Sequence, residues 1–202
     1  EAEKVKNSIK NFNFIFLVKV EEMRNVFMQQ FRADWESKGK IFFHKNTILT
    51  MALGSDKSNE IEDNLSELTK EIYGECGLFL TSKPLEEVRE YIENFTWKEY
   101  ARPRSIATET VTIPAGIVSY QPEKGGHPVQ KAVNDIFKKM EAPTVAENDT
   151  VCLLDDYTIC KVGDPLSVHQ AHILKLLGYK TVTCRLLITH YYDKIKQATF
   201  RF

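Results

Sequence analysis

Lys40-Ile-Phe-Phe-His-Lys-Asn-Thr-Ile-Leu-Thr-Met-Ala-Leu-Gly54 carries an apolar strand into a polar corner and then into a helix. Ile41, Phe42 and Phe43 have the bulk and β-propensity of a buried strand. Ile48, Leu49, Ala52 and Leu53 recur at helical spacing, and Gly54 is a natural stop. The corner itself holds Lys45, Asn46 and Thr47, which supply a charge, an amide and a hydroxyl beside the unpaired N–H groups of a first helical turn. Two readings fit these residues. One is an ordinary turn capped by Asn46 or Thr47; the other is a cradle for phosphate.

Outward from this corner the pattern repeats. Phe12 to Val20 reads as a strand, and Met23 to Ser37 as a helix with Val26, Phe27, Phe31 and Trp35 inward. Asn59 to Tyr73 reads as an acidic amphipathic helix, Gly77 to Thr81 as a strand, and Pro84 to Phe95 as a helix with Ser82 as a candidate cap. Glu1 to Asn11 is a short charged helix. Strands and helices alternating in this way predict an α/β fold, a central mixed sheet flanked by helices.

At Tyr100-Ala101-Arg102-Pro103-Arg104 the composition changes. A β-rich stretch from Thr108 to Ile113 is followed by a loop rich in Pro and Gly, a helix over Val129 to Met140, and strands near Val151 to Leu154 and Thr158 to Lys161. Ser167 opens a helix that stops at Gly178, and Thr181 to Tyr192 alternates as one long strand expected to return to the first domain. Residues 107–185 are therefore expected to form an inserted, smaller α+β domain, with 1–106 and 186–202 making the first.

The 202 residues are 43% hydrophobic and 27% charged, with a net charge of −1, as in a soluble globular chain. No apolar run is long enough for a membrane helix, and no signal peptide is visible, although the chain opens on Glu1 and leaves room for a preceding extension. The charge is uneven. Residues 1–54 hold nine Lys or Arg and six Asp or Glu, residues 55–100 hold five and twelve, and residues 101–202 hold thirteen and ten. The four cysteines follow neither a zinc nor a disulfide pattern and read as buried thiols of an intracellular protein.

Nothing in the sequence matches a Walker loop, a dinucleotide fingerprint, a nucleophile elbow or a metalloprotease helix, so neither catalysis nor a cofactor is expected. His169 and His172 share a helix face without a third ligand nearby and read as exposed polar residues. Asp155 and Asp156 are adjacent, so in a strand they point to opposite faces and cannot act as a pair. What remains is a pair of helix starts, Arg24-Asn25 and Lys45-Asn46-Thr47. Brought to one end of the layer, they suit the phosphates and 2′-hydroxyls of a folded RNA.

Met23-Arg24-Asn25, Phe42 to Thr47, Met51 to Gly54, Gly74 to Thr81, Tyr100-Ala101-Arg102 and Leu174 to Tyr179 occur in the order expected of the mRNA turnover protein 4 family. These are the ribosome-assembly relatives of the large-subunit stalk-base protein. The chain resembles that family over residues 5–193, including Asp156-Tyr157 through Gly163-Asp164. The resemblance implies an RNA-binding α/β domain with an inserted second domain, resident in the nucleus and nucleolus on the precursor large subunit (pre-60S particle). There it implies a placeholder on large-subunit ribosomal RNA of the GTPase-associated region, beside pre-60S proteins, later replaced by the mature stalk-base protein. Carried over by residue, Arg24, Asn25, Lys45, Asn46 and Thr47 face the RNA. Charge alone adds Lys40, Arg102 and Arg104 at the periphery. His44 stands where the family more often has Gly. No metal, membrane or stable homo-oligomer is implied. The neighbouring readings are the mature stalk-base protein, which continues into helices that recruit acidic stalk proteins whereas this sequence stops at Phe202, and a small-molecule enzyme using a cleft between domains.

Overall fold

The structure, a computed structural model, describes residues 1–202. The chain packs as two units, Glu1–Trp97 with Cys184–Phe202, and Lys98–Thr183. In chain order the first unit begins with α1 (Ala2–Ile9), β1 (Phe14–Glu21), α2 (Asn25–Asp34), β2 (Gly39–Phe42), α3 (Asn46–Leu53), α4 (Ser66–Lys70), β3 (Gly77–Thr81), α5 (Leu85–Asn94) and β4 (Thr96–Glu99). The second unit follows with β5 (Val111–Ile113), β6 (Gly116–Ile117), α6 (Asn134–Lys139), β7 (Thr144–Glu147), β8 (Thr150–Leu153), β9 (Tyr157–Cys160) and α7 (Val168–Leu177). The chain then forms β10 (Val182–Asp193) and β11 (Ala198–Arg201).

The sheet of the first unit runs β11-β10-β1-β3-β2, with β4 also paired to β10. The four pairings along this path are antiparallel. Side-chain alternation then sorts the core onto two faces. Ile15, Leu17, Leu78 and Leu80 pack under α1, α3 and α4 through Val5, Ile9, Leu49, Leu53 and Leu68. Phe16, Val18 and Phe79 meet α2 and α5 through Phe27, Phe31, Val88 and Ile92. The second face is aromatic: Phe31 lies edge-on to Phe79 at 5.1 Å, and Trp35 to Phe79 at 4.9 Å. Helices on both faces of one sheet are the layering that the alternation of strand and helix predicted.

Local chemistry sets the ends. Gly54 closes α3 with φ 99°, and a Cβ there would lie 2.5 Å from the Glu60 Cα, so only glycine fits. Pro84 rather than Ser82 stands before α5, because the Ser82 hydroxyl accepts the Asn13 N–H at 3.1 Å. The acidic helix expected over Asn59 to Tyr73 shrinks to α4. Upstream of it the Glu60 carboxylate accepts the backbone N–H groups of Asn64 at 2.9 Å and Ser66 at 3.0 Å, and Asn64 takes φ 63°. Side chains that satisfy the backbone compete with helix. The Tyr192 hydroxyl fastens the same loop by donating to the Asp63 carbonyl at 2.6 Å, and burial, with nearby carboxylates, pushes this phenol up to about 12.

In the second unit β6-β8-β7 form one small sheet and β5-β9 another. The helix expected from Val129 begins later, since Val129 donates to Val118 at 2.8 Å and accepts from Val151 at 2.9 Å, which holds it extended beside the sheet. β7, unforeseen in the sequence, pairs β8 across Asn148-Asp149, whose φ values of 47° and 66° match a tight hairpin turn. Ser167 and Gln170 form the full capping box of α7, and Gly178 ends it at φ 101°. Val118, Phe137, Val151, Ile173 and Leu177 form the core of this unit. Cys76, Cys160 and Cys184 are buried free thiols, whereas Cys152 is only half-buried. No helix is long and apolar enough to cross a membrane.

Candidate nucleic-acid interface

Two corners of the first unit join a strand to a helix that starts without a side-chain cap. At the first, between β1 and α2, Glu22 adopts φ 50° and Arg24 precedes the helix in an extended conformation. The Arg24 guanidinium folds back, donating to the carbonyls of Glu22 and Met23, each at 3.1 Å, and to the Glu22 carboxylate at 3.2 Å. Its side chain is only 13% exposed. The Cys184 thiol donates to the same Glu22 carbonyl at 3.0 Å. Arg24 thus clamps a left-handed turn, and Asn25 is the exposed first residue of α2.

At the second corner, between β2 and α3, Lys45 has ψ 142° and its carbonyl receives the N–H of Ile48 at 2.8 Å and of Leu49 at 3.2 Å. Neither Asn46 nor Thr47 caps the helix, which corrects the capped-turn reading, because both already lie inside it. The Asn46 amide instead donates to the Gly74 carbonyl at 3.0 Å, and its oxygen accepts the Cys76 thiol at 3.5 Å. Burial pushes the Cys76 thiol up, against the opposing charge of Lys19, and so keeps it a donor. Lys45 and Thr47 point outward and are exposed.

His44 needs no positive φ, so the absence of glycine there leaves the corner unstrained. Its ring stacks on Phe42 at 6.1 Å and its Nε2 lies 3.5 Å from the Glu1 carboxylate. A cleft of about 940 Å³ opens beside this corner, lined by Met23, His44, Lys45, Asn46 and Thr47 on the polar side. Val20, Phe43, Ile48, Gly74, Glu75 and Cys76 complete it. The two corners therefore meet at one end of the sheet, with Met23 rather than Arg24 or Asn25 reaching the cleft. Sequence spacing could not reveal Gly74 to Cys76, which lie 28 or more positions beyond Asn46.

The peripheral cations go elsewhere. Lys40 lies on the end strand β2, beside a separate hollow of about 290 Å³ lined by Phe31, Arg32, Trp35 and Ile41. Arg102 and Arg104 belong to the second unit. Their backbone N–H groups donate to the Ser105 hydroxyl at 3.1 Å and the Leu166 carbonyl at 2.8 Å, and Arg104 takes φ 73°. They cannot be counted with the corner at Lys45.

Comparison with known proteins gives two family matches in chain order. The model of ribosomal protein L10 matches residues 1–96, and that of the insertion domain in the 60S ribosomal protein of the same lineage matches residues 101–179. The chain is similar to the ribosome assembly factor mrt4 of Candida glabrata, 32% identical over 95% of this chain and 82% of that protein. It is also 32% identical to the ribosome assembly factor mrt4 of Schizosaccharomyces pombe, over 98% of this chain and 83% of that protein. The large ribosomal subunit protein uL10 of Ceratitis capitata is 28% identical over 88% of this chain and 53% of that protein.

Proposed function

The chain belongs to the mrt4 family of ribosome assembly factors within the ribosomal protein L10 lineage, and from that premise we propose that it is a non-catalytic assembly factor binding large-subunit ribosomal RNA at the stalk base of the pre-60S particle. It occupies that site in the nucleolus and nucleus until the mature stalk-base protein replaces it. The observation that carries this reading is the open second corner, where exposed Lys45 and Thr47 stand at an uncapped helix start inside a cleft. Backbone N–H groups, a lysine ammonium and a hydroxyl are the donors that RNA phosphates and 2′-hydroxyls take.

Similarity to both mrt4 and uL10 supports the placeholder idea, since one scaffold offering one corner leads to overlapping phosphate contacts. Exchange then depends on relative affinity, concentration or an outside release factor. The test is binding to an RNA fragment of the GTPase-associated region over a salt series. The slope should correspond to about three to five neutralised phosphates, at roughly 0.7 to 0.9 each. Mature stalk-base protein should displace the chain competitively. A ternary complex with both proteins at full affinity would overturn the placeholder role.

A further inference from the structure

The cleft at the Lys45 corner holds more than phosphate chemistry requires. Val20, Met23, Phe43 and Ile48 give it an apolar wall, and Met23 remains 40% exposed. A sugar-phosphate backbone gains nothing from such a wall, whereas a flat ring does, and an unbranched thioether adapts readily to a ring face. Glu75 also lines the cleft, exposed and without an ion-pair partner. The other acids near this end are occupied: Glu21 by Arg185, and Glu22 by Arg24 at 3.2 Å. An unpaired carboxylate repels phosphate, but it accepts well from the exocyclic amino group of a base.

Together, a cation at the rim, an apolar wall and a lone acceptor describe the three parts of one nucleotide. We propose that this cleft takes a single unstacked nucleobase bearing an exocyclic amino group, held against Met23 and Phe43 with Glu75 as its acceptor, while the flanking phosphate meets Lys45. The inference rests on the RNA-binding reading above. It makes recognition at this corner more than a reading of backbone shape.

The test is abasic scanning of the same RNA fragment against the wild-type chain and the variants Met23→Ser, Glu75→Ala and Lys45→Ala. Met23 and Glu75 are exposed, so their replacement leaves the core intact, as circular dichroism would verify. One abasic position should weaken wild-type binding about tenfold, and Met23→Ser should lose a similar factor and become indifferent to that position. Glu75→Ala should also weaken binding, and uracil at that position should behave like its loss. If no abasic position matters and Glu75→Ala tightens binding by removing repulsion, the base site is overturned while a persisting Lys45 effect leaves the RNA-binding reading standing. RNA binding that is absent, or indifferent to Lys45, overturns both.

Discussion

The Arg24 and Lys45 corners share a plan, a strand of the same sheet running through a basic residue into an uncapped helix, yet only one offers its charge. At the first, a carboxylate two residues upstream and a left-handed Glu22 bring acceptors back onto the guanidinium, and Arg24 is consumed in holding the turn. At the second, the neighbouring side chains are His44, Asn46 and Thr47. Asn46 is fastened to the segment before β3, so no local acid reaches Lys45. A cation at a helix start is available for a ligand only when its own loop leaves it unanswered.

The sharpest way to break this contrast is Arg24→Ala. Removing one partner of a largely desolvated pair, and the donors to two carbonyls, should cost on the order of 3 kcal/mol of stability in denaturant unfolding. The slope of RNA affinity against salt should stay as it was. Loss of slope without loss of stability would mean that Arg24 serves the ligand after all. Lys45→Ala should do the opposite. Affinity should fall by about 1.5 to 3 kcal/mol and the slope flatten by about one unit, with the unfolding midpoint unmoved.

Asn46→Ala sits between the two corners' behaviours. It removes the ties to Gly74 and Cys76, so stability should fall by about 1 to 2 kcal/mol, and RNA affinity should fall only through a loosened corner. A salt slope equal to wild type would separate this positioning role from direct contact. The smallest effect should come from Lys40→Ala, whose side chain stands beside a different hollow. Its RNA affinity should stay within about 0.5 kcal/mol of wild type in the same titration.

Much of the layering was legible before any coordinates. Gly77 to Thr81, the helix between Ser167 and Gly178, and the long return strand are strongly periodic or bounded by unambiguous caps, and they fall where expected. Residues 59–65 misled because their apolar spacing is helical while Glu60 answers backbone donors that a helix would need. β7 escaped because a four-residue strand beside a turn of two positive-φ residues carries little periodic signal.

The candidate site divides in the same way. The sequence by itself determined that an apolar strand enters a helix through Lys45-Asn46-Thr47, since hydrophobic period and helix propensity act within a few residues. Only the tertiary structure decided that Asn46 is structural, that Arg24 is spent on Glu22, that Lys40 faces another hollow, and that Met23 and Glu75 share the cleft with Lys45. The physical reason is that charge, amide and thiol act through space over a few ångströms. Which groups come that close is set by packing between segments that local sequence does not relate.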